Sequence, residues 1–236
     1  MIEAYITNLG KYNEGRLQGE YLKLPATTED VQALLSRIGV DGIMYEETFI
    51  TDYEVRVSGL SSHLGEYESI NELNYLASLL EEMDTGELEK FEAVLIFGDH
   101  TASVKDLINL TQNLDCYDLY PDISDPDDLG RYVMEYMEGR EIPDWMENYF
   151  DYDSYGRDFD MNVQGDYTDI GYVWNNGDSF IEHYSGREDL PDEHKIFAYP
   201  PQEKSIKQAL ANFQQMISEA PAAPSPEKPL PTRADR

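Results

Sequence analysis

The sequence predicts an α+β protein: an elongated chain of three small domains followed by a C-terminal extension. Three observations carry this. Strand-like alternation fills residues 2–9, Gly19–Leu24 and Phe49–Val57. Apolar stripes at helical spacing occupy the middle of the chain. A turn signal, Asn176-Gly177, stands between two strand-like runs near residue 180.

The first unit, residues 1–61, combines those three strands with one helix. Thr28 is the expected N-cap, Val31, Leu34, Leu35 and Ile38 form the apolar face, and Gly39 closes it. The second unit, residues 62–120, reads as a small helical bundle. Ser69 and Glu72 match the capping-box pattern, followed by Ile70, Leu73, Leu76, Ala77 and Leu80 on one face. Thr85 is the expected cap of a second helix, with Leu88, Phe91 and Leu95 inside. Ser103 and Asp106 open a third, with Leu107, Leu110 and Leu114 inside.

The third unit, residues 121–186, is read as an α/β unit with a hairpin. Asp125 is a good N-cap and Pro126 suits the first helical position. Leu129, Tyr132, Val133, Tyr136 and Met137 then follow a single helical stripe. Pro143 opens a shorter helix holding Trp145, Tyr149 and Phe150. Ile170–Trp174 and Ser179–Tyr184 are the expected strands of the hairpin. The extension, 187–218, contains an amphipathic helix at Ser205–Ile217. Residues 219–236 carry five prolines and read as a disordered tail.

Charge is the strongest functional signal. The chain has 48 Asp+Glu against 17 Lys+Arg, a formal charge of −31. Residues 1–60 carry 10 acids and 5 bases, residues 61–200 carry 34 and 7, and residues 201–236 carry 4 and 5. A general adaptation to salt would acidify exposed segments alike, and the last segment departs from that. The balance argues against binding nucleic acid or anionic membranes by charge, and points to basic partners. Aromatic residues at 12% argue against a wholly disordered acidic chain. No apolar run is long enough for a membrane helix, the N-terminus lacks a signal-peptide pattern, and one cysteine fits a reducing cytoplasm.

Catalytic and cofactor motifs are not found, and neither enzyme activity nor a cofactor is expected. His63, His100, His183 and His194 are isolated and form no zinc pattern. Cys116 reads as a buried thiol. The acids from Asp125 onward fail as a calcium loop, because Leu129 and Tyr136 occupy ligand positions. Paired carboxylates of the glycosidase kind have no specificity among so many acids.

The acids outside the apolar stripes are the candidate partner-binding groups. They are Glu72, Glu81 and Glu82 on the first bundle helix and Glu87, Glu89 and Glu92 on the second. The third unit adds Asp122, Asp127, Asp128, Glu135, Glu138, Glu141, Asp144, Glu147, Asp151, Asp153, Asp158 and Asp160. A solvated face is the ordinary reading of such runs. Here the density is that of a polyanion: duplex DNA carries one charge per about 1.7 Å of axis, so the excess over residues 61–200 matches roughly 45 Å of duplex.

Several blocks resemble the ArdA family of antirestriction proteins. They are YITNLGKYNEGRLQGEYLKLP (5–25), EETFITDYE (46–54), YESINELNYLASLLEEM (67–83) and EIPDWMENYFDYDSYGRDFD (141–160). The last is similar to the family's antirestriction motif, with its core at Tyr155, Gly156, Arg157 and Asp158. The resemblance covers about residues 1–186 and leaves 187–236 without a counterpart. It implies three domains in a row and a homodimer imitating bent B-form DNA. The implied partner is a type I restriction-modification enzyme, engaged at its methyltransferase core and specificity subunit, with no reaction catalysed. Trp145, Tyr149, Phe150, Tyr152 and Tyr155 are then read as core residues first and dimer contacts second, and Arg157 as a member of an internal ion pair. The alternative is an acidic or chaperone-like module for another basic protein; a carbohydrate-active or calcium-dependent protein is the third reading.

Overall fold

The computed structural model describes residues 1–140 and 142–201, and of Asp144 only the backbone. The chain divides after Pro200, and the account below concerns the unit Met1–Pro200. It is α+β, as the patterns predict. The expected helix at Ser205–Ile217 and the proline-rich tail lie outside the described residues.

Strand β1 (Ile2–Asn8) leads through a short helix α1 (Leu9–Asn13), capped by the Asn8 side chain, to β2 (Gly19–Leu24). Helix α2 (Thr28–Ile38) follows, and then β3 (Thr48–Val55). The sheet order is β2-β1-β3, antiparallel throughout. Alternation sends Ile2, Ala4 and Ile6 inward with Leu22 and Leu24, where they form one core with Val31, Leu34, Leu35 and Ile38 of α2. The cap of α2 is Thr27, one residue before the expected Thr28. Thr27 accepts from the Asp30 amide while the Asp30 carboxylate reaches back to the Thr27 amide, so Asp30 supplies the reciprocal bond. Gly39 closes the helix in the left-handed region, as expected.

Three helices come next: α3 (Ile70–Glu82), α4 (Thr85–Phe97) and α5 (Val104–Thr111). Ser69 and Ser103 cap the first and third. The second is capped by Asp84 rather than Thr85, in a reciprocal box with Glu87. A 3₁₀ turn at Leu114–Cys116 leads into β4 (Tyr117–Tyr120), an element with no strong sequence signal. Cys116 is buried, and burial pushes its thiol pKa up.

Helix α6 (Pro126–Tyr132) begins at the expected cap, Asp125. The stripe does not continue as an α-helix. Val133–Met137 forms a π-helical turn, marked by the bond from the Glu138 amide to the Val133 carbonyl. The extra residue rotates the stripe, so Leu129 and Val133 are buried while Tyr136 and Met137 are exposed. Helix α7 (Asp144–Glu147) is a single turn. Helix α8 (Tyr152–Val163) is not among the expected helices; its buried residues are Tyr152 and Gly156, which make no aliphatic stripe.

Helix α8 packs directly on α6. Two glycines permit the approach. A Cβ on Gly156 would collide with the Pro126 carbonyl, and one on Gly130 with the Tyr152 carbonyl. The glycine of the Tyr155–Asp158 block is therefore a packing requirement. Strands β5 (Asp166–Thr168) and β6 (Gly171–Asn175) complete a second antiparallel sheet, order β4-β6-β5, with a second apolar cluster of Ile123, Leu129, Val133 and Tyr172.

The expected hairpin between Ile170–Trp174 and Ser179–Tyr184 does not form. β6 pairs with β4 and β5 instead. Residues 179–184 belong to no strand, and two buried asparagines of the helical region bond to the backbone of Ile181, His183 and Tyr184. Asn113 accepts from the Ile181 amide and donates to its carbonyl. Asn109 accepts from the His183 and Tyr184 amides and donates to the Tyr184 carbonyl. Side-chain amides here replace a partner strand. The segment continues to Leu190 and Ile196, which enter the main core, and the Phe197 amide donates to Asn71.

The Gly156→Ala substitution is expected to lower unfolding free energy by about 3 kcal/mol, because the obstructing atoms are backbone. Urea denaturation checks this; an unchanged midpoint would contradict the close-packed account of α6 and α8.

Candidate partner-binding surface

Helix N-termini place several of the acids. Amides left unpaired in a first turn attract carboxylates, and the helix dipole favours negative charge there. Glu87 accepts from the Asp84 amide at 2.9 Å. Asp128 accepts from the Ser124 hydroxyl at 3.0 Å, one turn into α6. Asp151 caps α8, accepting from the Ser154 amide at 3.0 Å and its hydroxyl at 2.8 Å. These bonds, the amide first, hold the Asp151 carboxyl below the usual aspartate range. Asp30 at α2 is lowered similarly, by the Thr27 hydroxyl first and then its amide.

Other acids are tied to arginine or tyrosine. Asp127 pairs with Arg131 at 2.8 Å, and Glu147 lies 3.8 Å from the same guanidinium. Asp153 pairs with Arg157 at 2.8 Å, the internal ion pair expected of Arg157. Glu138 pairs with Arg140 at 2.9 Å and accepts from the Tyr155 hydroxyl at 2.7 Å. Asp160 accepts from Tyr172 at 2.7 Å. Glu92 accepts from the Ser58 amide at 2.7 Å, and Glu81 lies 3.5 Å from the N-terminal ammonium. Glu82, Glu89, Asp122, Glu135 and Asp158 are exposed and have no ion-pair partner among the described residues. Glu141 lies outside the described residues, as does the Asp144 side chain.

Glu72 departs from the expectation. Instead of completing a capping box on the surface, it is 6% exposed. It accepts from the buried Tyr184 hydroxyl at 3.0 Å and from Arg187 at 2.8 Å. Position 72 lies beside the core stripe of α3, and the chain after β6 brings both partners to it, 112 and 115 residues away. Only tertiary structure could place them there.

The aromatic residues of the motif also separate. Tyr152 is buried, and Phe150 and Tyr155 are half-buried and meet edge to face. Trp145 and Tyr149 are 71% and 85% exposed and are not core. A one-turn helix has no second turn to carry both rings to one buried side, so packing passes to Phe150 and Tyr152 beyond its end.

Acids on the first sheet, two of them in the block 46–54, stand outside the candidate set. Asp52 and Glu54 alternate on the outer face of β3, with Glu3 opposite Glu54 on β1. Tyr21 donates to Asp52 at 2.6 Å, and that bond pushes the Tyr21 hydroxyl up to about 12. The period-two spacing of Asp52 and Glu54 was the available signal.

Fold and surface together define an acidic α+β protein whose carboxylates are spread over open helix and strand faces. The family model described as antirestriction protein (ArdA) matches residues 4–174. The chain belongs to the ArdA family, which implies an antirestriction function. No curated protein matches it. Residues 175–200, with the core residues Tyr184, Leu190 and Ile196, lie beyond the matched span. No helix among the described residues is long and apolar enough to cross a membrane.

Two expected outcomes follow. Glu72→Ala leaves the buried Tyr184 hydroxyl unpaired and is expected to cost about 2 kcal/mol, whereas Glu82→Gln on the surface changes stability by less than about 0.5 kcal/mol; urea denaturation of both checks the contrast. The lowered carboxyls of Asp30 and Asp151 stabilise the fold fully above their unfolded pKa, and that contribution is lost as pH falls through the lower folded values. Asp151→Ala is expected to shrink the acid-induced loss of helix signal, measured by circular dichroism from neutral pH downward.

Proposed function

We propose that the protein is an antirestriction protein that imitates B-form DNA and occupies the DNA-binding channel of type I restriction-modification enzymes, so protecting incoming mobile DNA. The observation that carries this reading is the placement of charge within an ArdA family member. Net negative charge is concentrated in residues 61–200, and Glu82, Glu89, Asp122, Glu135 and Asp158 stand exposed with no ion-pair partner among the described residues.

In this reading the segments 1–61, 62–120 and 121–186 are successive stretches of the mimic. Carboxylates take the place of phosphates along them. The acids held by caps and arginines are fixed in place, and the unpaired ones supply most of the field. Glu72, buried and paired, takes no part. The partner surface is the positively charged channel formed by methyltransferase core and specificity subunit. Long-range attraction steers the encounter. A homodimer would present two such arrays to the two DNA-recognition domains. The exposed Trp145 and Tyr149 are the candidate dimer contacts, with Phe150, Tyr152 and Tyr155 behind them. No catalysis and no cofactor enter the mechanism, and the site of action is the bacterial cytoplasm.

A competition assay tests the reading: the protein against duplex DNA for a type I methyltransferase core, across a salt series. The protein is expected to displace DNA at low salt and to lose potency as salt rises, since exposed charges are screened. Undisturbed DNA binding at low salt would sink the proposal, and recovery of a different basic partner would favour the chaperone-like alternative.

A further inference from the structure

A purely electrostatic inhibitor of a basic channel gains nothing from its own cations. Yet Arg131, Arg140 and Arg157 all stand within the most acidic part of this chain, and each contacts a carboxylate. Arg131 makes the most connections. It leaves α6 next to Gly130, bonds through Nε to Asp127 on its own helix at 2.8 Å, and directs Nη1 toward Glu147 of α7 at 3.8 Å. Its guanidinium carbon lies 4.1 Å from the centre of the Tyr152 ring at the start of α8. One side chain thus touches three helices.

Helix α7 offers little buried surface among the described residues. It is one turn long, and Trp145, Met146 and Glu147 are all exposed. Glu147 is the acid at its C-terminal end, where the helix dipole disfavours negative charge. An isolated single turn is unstable in water, so its position depends on contacts beyond its own hydrogen bonds. The planar guanidinium can bond two carboxylates and stack on a ring at once, which a lysine ammonium cannot.

We propose that Arg131 is a positioning residue: by bridging Asp127, Glu147 and the Tyr152 ring it holds α7, and the carboxylate it carries, in fixed register with α6 and α8, and so strengthens partner binding despite its positive charge. This deepens the reading of the preceding subsection and rests on it for the binding consequence; the holding of α7 does not. Net charge alone gives the opposite sign, since removing a cation makes the protein more negative.

The test uses the full-length Arg131→Met protein, whose aliphatic side chain still covers Tyr152. Trp145 on α7 reports locally, its emission isolated by difference against Trp145→Phe. In R131M the Trp145 anisotropy is expected to fall. Potency against the methyltransferase core is expected to fall about two- to fivefold, the range an exposed bridge supports. Most of that potency loss is expected to vanish in a Glu147→Gln background. Unchanged Trp145 anisotropy overturns the proposal, and so does equal or tighter competition by R131M. A potency loss that persists in full in E147Q overturns the route through Glu147. Should R131M fail to fold by circular dichroism, E147Q alone breaks the same bridge, and the anisotropy of Trp145 in that protein decides the point. If the wild-type protein does not compete at all, the functional reading falls, while Trp145 still decides whether Arg131 holds α7.

Discussion

Mutual repulsion among carboxylates is the constraint under which this chain folds. With 48 acids and 17 bases, compaction brings like charges together. The structure meets this locally. Asp84, Asp125 and Asp151 sit at helix N-termini, where unpaired amides and the helix dipole stabilise an anion. Asp127, Glu138 and Asp153 have arginines within one turn or two residues in sequence. Asp52, Glu138 and Asp160 accept tyrosine hydroxyls; the neighbouring carboxylate raises the phenol pKa of Tyr21 and Tyr155, and burial first, then Asp160, raises that of Tyr172. The abundance of tyrosine thus serves the charge: a phenol packs like an aromatic and still donates to an acid.

These devices differ in what they leave available. A cap satisfies backbone donors and leaves the formal charge in place, as at Glu87 and Asp151. An arginine pair reduces the field of Asp127 or Asp153 but fixes its position. Unpaired acids and arginine-bridged ones occur on the same segment, and the proposed imitation of DNA draws on both, a strong field and defined spacing. Burial of Glu72 serves neither purpose. It joins α3 to the chain after β6, and with the asparagine brackets at positions 71, 109 and 113 it closes the unit.

Much of the fold could be read from local pattern. The strands at Ile2–Asn8, Gly19–Leu24 and Thr48–Val55 follow from alternation, and the stripes of α2, α3 and α5 from helical spacing. Where the structure departs from local pattern, the causes are physical. Thr28 and Thr85 have the chemistry of a cap, but the reciprocal bonds with Asp30 and Glu87 place the cap one residue earlier. The stripe through Tyr136 assumed α geometry, and a π-turn rotated it. The hairpin failed because β4, whose Asp118 lies 56 residues before its partner Trp174, displaced the near neighbour in sequence. Helix α8 was missed because its buried side is built from Tyr152 and Gly156, neither of which signals an apolar stripe.

The sequence by itself determined the charge, its concentration in residues 61–200, the helix starts at Ser69, Ser103 and Asp125, and enough of the family's blocks to recognise membership. These are properties of composition and short range, set within one or two turns. Tertiary structure alone decided which acids are free, paired or buried. Glu72, Glu82 and Glu147 are alike as glutamates in the sequence; one faces Tyr184 and Arg187, one faces solvent, and one meets a guanidinium from another helix. The field of a carboxylate depends on its distance to other charges and on its exposure to water, and both are quantities that only the folded chain possesses.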